Sequence, residues 1–137
     1  CLESHMPLDL VIIMLGTNDL KSRFSLTAWD ISCGAASLVG MINNPSKPFY
    51  GGTPKTLLVA PPPLGELNLL ADHYVGGTEK SLQFADCFER AASNSGSSFL
   101  DAGKIVISSD GDGVHYDEDQ LHPLGVAMTE KVREILG

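Results

Sequence analysis

Apolar residues fall into two patterns along the chain: short continuous runs and stretches with helical spacing. Residues 9–15 (DLVIIML) are an almost unbroken apolar run of strand length that ends at Gly16. A run of this kind suits a strand covered on both faces, as in a parallel sheet. Residues 55–60 (KTLLVA) repeat it and stop at Pro61-Pro62-Pro63. A central strand cannot contain those prolines, because each lacks the N–H that a sheet ladder needs. Residues 98–101 (SFLD) are a third, shorter strand candidate.

Helical spacing fills the intervals. Residues 26–42 place Ile31, Ala35, Leu38, Val39 and Ile42 on one face, with Ser25 or Thr27 as N-cap and Asn43-Asn44-Pro45-Ser46 as the stop. Residues 78–95 place Leu82, Ala85, Phe88 and Ala92 at helical spacing, and Gly96 follows as a helix-ending residue. Residues 121–136 close the chain with Leu124, Met128, Val132 and Ile135 on one face. Strand, helix, strand, helix, strand, loop, helix predicts an α/β fold with a parallel sheet. Three strands are few for such a sheet and would leave an apolar edge unpaired. The pattern therefore predicts one domain over residues 1–137 that is N-terminally incomplete, its first strands absent or supplied by another chain.

Composition narrows the function classes. A length of 137 residues, with 43% hydrophobic and 19% charged positions, describes a globular domain able to bury a core. The net charge of −8, with only nine Lys and Arg scattered along the chain, argues against nucleic acid, whose phosphates require clustered cations. No apolar run reaches the roughly 18 residues of a membrane span, and no signal peptide is visible. Cys1, Cys33 and Cys87 have no metal-type spacing, and the latter two read as buried free thiols in helices. Cysteine usage points to a reducing, cytoplasmic compartment.

Two constellations carry candidate chemistry. Gly16-Thr17-Asn18-Asp19 lies where a parallel strand ends, the edge at which open α/β sheets bind ligands. An Asn there can offer its side-chain NH2 to a developing oxyanion, which contributes about 3 kcal/mol in a serine hydrolase. The alternative is that Asn18 and Asp19 simply make the turn. Asp112-Gly113-Val114-His115 places an acid and an imidazole three residues apart in a turn-rich loop, as a general base and its orienting carboxylate require. Here the alternatives are a solvated acidic loop, given Asp110, Asp117, Glu118 and Asp119 around it, or a calcium loop. Counting from Asp110, the fifth position is Val114, the glycine position is His115 and the twelfth is Leu121, so the calcium pattern fails three times. His5, His73 and His122 have no ligand spacing, and no metal site is expected. A flavodoxin-like phosphate or nucleotide binder lacks support, because no Gly-rich strand-to-helix loop is present.

Taken together, the two loops resemble the third (GxND) and fifth (DxxH) sequence blocks of the SGNH, or GDSL-type, hydrolases. LDLVIIMLGTNDLK, KTLLVAPPPLGE, FLDAGKIVISSDGDGVH and LGVAMTEKVREIL all resemble the bacterial arylesterase and acyltransferase branch. The resemblance implies a three-layer α/β/α flavodoxin-like parallel sheet, of which this chain supplies about three strands and the C-terminal helix. It implies His115 as general base, Asp112 as its orienting carboxylate and Asn18 as oxyanion donor, with Asp19 supporting the loop. Thr17, Lys21 and Val114 flank these groups at the substrate mouth, although a solvent-facing Lys21 fits equally well. The implied activity is hydrolysis or alcoholysis of small carboxylic esters through an acyl-enzyme, without cofactor or metal, by a protein that assembles into homo-oligomers. The first block, a GDS carrying the serine nucleophile, is absent, as is the second. Ser22, Ser25, Ser108, Ser109 and Cys1 lie in no nucleophile-type motif. The expectation is therefore a serine supplied from outside this segment, by a missing N-terminal half or a second chain, and a segment inactive alone. The competing reading is a catalytically inactive fragment or binding module.

Overall fold

A computed structural model describes residues 2–44, 46 and 51–137; Cys1 and Pro45 lie outside the described residues. Three strands, β1 (Leu10–Ile13), β2 (Lys55–Ala60) and β3 (Ser98–Asp101), form one parallel sheet in the order β1-β2-β3. The register pairs Ile13 with Leu58 and Ala60 with Asp101, so all three strands deliver their C-terminal ends to the same edge. Strands β2 and β3 have the bounds that the apolar runs predict. Strand β1 is shorter than the predicted 9–15, because Gly16, at φ 132°, turns the chain off the sheet into a 3-10 turn at Thr17–Leu20.

Helices α1 (Ala28–Ile42) and α3 (Phe84–Ser95), with the short α2 (Gly77–Ser81) before α3, and α4 (Glu118–Leu136) complete the fold. Central strand β2 sorts its side chains by the two-residue period of a strand. Leu58 and Ala60 join the core formed with α1 and α3, where Ile31, Ala35, Val39, Phe84 and Phe88 are buried. Leu57 and Val59 face the second core, which α4 covers with Leu124, Met128 and Ile135. The result is the predicted α/β/α layering.

Helix boundaries depart from the sequence pattern for identifiable reasons. Helix α1 is capped by Thr27, not Ser25: the Thr27 hydroxyl accepts from the Asp30 N–H, and the Asp30 carboxylate accepts from the Thr27 N–H. The expected helix over 78–95 is two helices, interrupted at Leu82 and Gln83. Leu82 points into solvent, while Phe84 and Phe88 pack edge to face with centroids 5.1 Å apart. Burying two phenyl rings outweighs burying one leucine, and the break rotates the chain to allow it. Gly96 ends α3 as expected, with the Ser97 N–H donating to the Ala92 carbonyl. Helix α4 begins three residues earlier than expected, its first turn carrying Glu118 and Asp119 where negative charge suits the helix dipole. Cys87 is buried as expected, whereas Cys33 is exposed on α1. No helix of the described residues is long and apolar enough to cross a membrane.

Candidate active site

Asp112 organises the acidic loop through both carboxylate oxygens. Its Oδ1 accepts from the backbone N–H groups of Val114 at 2.8 Å and His115 at 2.9 Å, and its Oδ2 meets His115 Nδ1 at 2.5 Å. These bonds, led by the one from the imidazole, hold the Asp112 carboxyl down at about 2. An ionised carboxylate can only accept, so Nδ1 carries the proton in this bond, which makes Nε2 the lone-pair nitrogen of the neutral imidazole. The imidazole is 78% exposed.

The loop is fastened from below. Gly113 sits at φ 74°, its carbonyl accepts from the Gly65 N–H at 2.8 Å, and its own N–H donates to the Ser109 carbonyl at 2.8 Å. A Cβ on Gly113 would lie 2.4 Å from the Glu66 carbonyl oxygen, a close approach that only glycine permits. The buried Ser108 hydroxyl donates to the Pro63 carbonyl at 2.9 Å, and Asn68 Nδ2 donates to the carbonyls of Asp110 and Gly111. Val114 is 8% exposed and packs in the core with Leu64 and Tyr74, anchoring the loop beneath the pair.

Asn18 stands in the 3-10 turn that follows β1. Its Oδ1 accepts from Lys21 Nζ at 2.7 Å and from the Tyr74 hydroxyl at 3.4 Å. Lys21 is thus turned onto Asn18. Thr17 is half-buried beside it. Asp19 lines an open apolar groove of about 280 Å³ between the end of β1 and α1, with Leu15, Ile31 and Leu38. Tyr74 links the two loops: burial and the nearby negative charge of Asp112 push its phenol pKa up, while its hydroxyl reaches Asn18. Asn18 and the Asp112–His115 pair therefore flank the same segment at the C-terminal edge of the sheet. Tyr74, whose hydroxyl stands out among the apolar residues Leu67, Leu69 and Leu70 of the sequence, is the neighbour that joins them.

The four serines nearest in sequence to these loops are engaged elsewhere. Ser108 bonds Pro63, Ser109 donates to Asp117 Oδ1 at 2.8 Å, Ser22 to the His73 carbonyl and Ser25 to the Ser22 carbonyl. Among the described residues no group of three or more His, Cys, Asp or Glu could hold a metal ion. A shallow cavity of about 530 Å³ along the exposed side of α4, lined by Leu121, His122 and Arg133, contains none of the site residues.

The GDSL-like lipase/acylhydrolase family profile matches residues 2–125. Among solved structures, an aryl esterase of M. smegmatis is 40% identical and superposes with a TM-score of 0.91 over 99% of this chain and 65% of its own. A carbohydrate acetylesterase of Sinorhizobium meliloti is 37% identical, with a TM-score of 0.89 over 98% of this chain and 64% of its own. A carbohydrate acetylesterase family member from the same organism is 33% identical, with a TM-score of 0.92 over 99% of this chain and 65% of its own. The chain thus spans just under two thirds of the length of the proteins it matches. No protein in the curated set matches it.

Proposed function

This chain belongs to the GDSL-like lipase/acylhydrolase family, and from that premise we propose that it carries the acid–base pair and one oxyanion donor of a serine esterase or acyltransferase acting on small carboxylic esters. The observation that carries the reading is the imidazole whose Nδ1–H is held by an ionised carboxylate, leaving Nε2 free to accept a proton. The M. smegmatis and S. meliloti neighbours, an aryl esterase and a carbohydrate acetylesterase, support an ester as the substrate class.

A serine from outside this segment attacks the ester carbonyl while His115 Nε2 takes the hydroxyl proton. Asp112 keeps the imidazole in the required tautomer and stabilises the imidazolium. The tetrahedral oxyanion accepts a hydrogen bond from Asn18 Nδ2. Collapse breaks the C–O bond to the alcohol, which leaves with the proton from His115. Water or a second alcohol, deprotonated by the same imidazole, then releases the acyl group from the serine. Neither metal nor organic cofactor enters these steps. Thr17, half-exposed beside Asn18, is the flanking contact for substrate. In this reading the segment supplies one part of a catalytic domain, and turnover requires the serine-bearing part.

Replacing His115 by Ala in the serine-bearing protein tests the reading. Loss of one general base lowers hydrolysis of a short aryl ester by at least about a hundredfold. Far-ultraviolet circular dichroism stays unchanged, since the side chain is largely exposed, and the unfolding midpoint falls only by the share that the bond to Asp112 contributes. Normal turnover in that variant refutes the assignment of the base.

A further inference from the structure

Resting on that reading, we propose that Lys21 and Tyr74 are positioning residues that set the orientation of the Asn18 amide and strengthen its outward-facing N–H donor. A lysine ammonium has donors only, so the atom 2.7 Å from Lys21 Nζ must be the amide oxygen. The Tyr74 hydroxyl, at 3.4 Å, is a second donor to the same oxygen. Burial and the charge of Asp112 keep that phenol protonated, and hence a donor, across the neutral range. An amide is planar, so fixing Oδ1 also fixes Nδ2 on the opposite side. The structure gives Nδ2 no partner among the described residues, and Asn18 is exposed. An unconstrained, exposed Asn would rotate about its side-chain bonds and also present its oxygen to the oxyanion, which repels charge where it should be held.

The turn and the neighbouring segment build this lock. Asn18 and Lys21 are three residues apart in a 3-10 turn closed by the Lys21 N–H on the Asn18 carbonyl at 3.3 Å. That spacing stacks side chains on one another, which brings the ammonium over the amide. Tyr74 arrives from the long connection after β2, where the Gly77 N–H donates to the Tyr74 carbonyl and the Ser22 hydroxyl to the His73 carbonyl. The ammonium also lies 5.7 Å from the centroid of the Tyr74 ring, so the two donors hold each other. A positive charge on the amide oxygen side draws electron density from nitrogen and makes the Nδ2 protons better donors. Lys21 thereby acts on the oxyanion through Asn18 without touching substrate.

A mutant cycle in the serine-bearing protein separates positioning from general structural support. Asn18→Ala lowers kcat by about 10²–10³, as loss of one oxyanion donor does elsewhere. In the wild-type background Tyr74→Phe costs roughly threefold to tenfold in kcat, and Lys21→Met roughly tenfold, the loss of a charge-assisted bond. KM changes little, and Lys21→Arg restores most of the rate. In the Asn18→Ala background neither substitution costs anything further. Equal losses in both backgrounds, or no loss in the wild-type background, overturn the proposal. The functional reading fails separately, by full turnover in the His115→Ala variant. A readout independent of turnover is the Asn18 side-chain amide in ¹⁵N–¹H spectra of this chain. Its Nδ2 protons shift upfield in Lys21→Met and exchange with solvent at a changed rate. Unmoved amide resonances in both variants also overturn it.

Discussion

Gly113 is the position where a single methyl group tests how the acid–base loop is held. Its φ of 74° is left-handed, and a Cβ there would lie 2.4 Å from the Glu66 carbonyl oxygen and 2.7 Å from the Glu66 carbonyl carbon. Both obstacles are backbone, so no side chain can swing aside. The left-handed conformation alone costs Ala about 1–2 kcal/mol. Separating the two segments also breaks the bond between the Gly65 N–H and the Gly113 carbonyl, a loss of about 1 kcal/mol. Gly113→Ala therefore destabilises the chain by roughly 2–3 kcal/mol, which moves the urea midpoint down by about 1–2 M at the slopes usual for a small domain. The displaced loop also loses alignment between Asp112 and His115, so the downfield Nδ1 proton of His115 broadens or disappears from the proton spectrum. A midpoint within about 0.3 M of wild type, far inside that shift, together with an intact Nδ1 resonance would refute the claim that this contact sets the loop.

Two further outcomes follow from the same geometry. The Asp112 carboxyl, held at about 2 against an ordinary 3.8, contributes stability that is fully present above pH 3.8 and is lost as pH falls through 2. Carbon-13 titration of its Cγ should show a midpoint near 2, and one near 3.8 would mean that the bonds to His115 and Val114 do not form in solution. Gly16→Ala places a Cβ 3.0 Å from Ile31 Cγ2 and 3.1 Å from Phe88 Cζ at a φ of 132° that strains any other residue. Such strain costs about 1–3 kcal/mol, enough to lower Tm by several degrees. An unchanged melting curve would show that the turn bearing Asn18 is not constrained at Gly16.

Features decided locally were legible in the sequence. Strands β2 and β3 are short segments with apolar centres bounded by prolines, glycines or polar residues, and their limits match the pattern. The acid–imidazole pair is legible for the same reason, since three residues and one turn contain all its bonds. Features decided by distant packing were not. The break at Leu82 and Gln83 depends on which of two apolar faces reaches the sheet, and helical spacing supports both. Val114 sits between two polar site residues in sequence, yet its side chain turns inward because Leu64 and Tyr74 leave it a place in the core. Lys21 reads equally as a residue of the substrate mouth or a solvent-facing cation until the 3-10 turn stacks it over Asn18. Propensity cannot distinguish that turn from the start of a helix.

The segment after β2 holds the site together although it carries none of the motif residues. Pro63 receives the Ser108 hydroxyl, Gly65 binds Gly113, and Asn68 caps the carbonyls of Asp110 and Gly111. Further along the same connection, His73 receives the Ser22 hydroxyl and Tyr74 reaches Asn18. Leu64 is itself tied to α2 through its N–H on the Ser81 hydroxyl at 2.9 Å, so this connection is braced where it leaves the sheet. In a parallel sheet the loops after adjacent strands share an edge, and the loop after the middle strand touches both neighbours. The spacing between acid–base pair and oxyanion donor is therefore set by a connection with no periodicity and no sequence motif of its own. Its three prolines reduce the conformations open to the unfolded chain, which favours the one rigid exit that both loops lean on. Apart from loss of the Tyr74 hydroxyl, which acts through Asn18 alone, substitutions along residues 61–77 should thus alter the two halves of the site together, whereas changes within either motif should alter one alone.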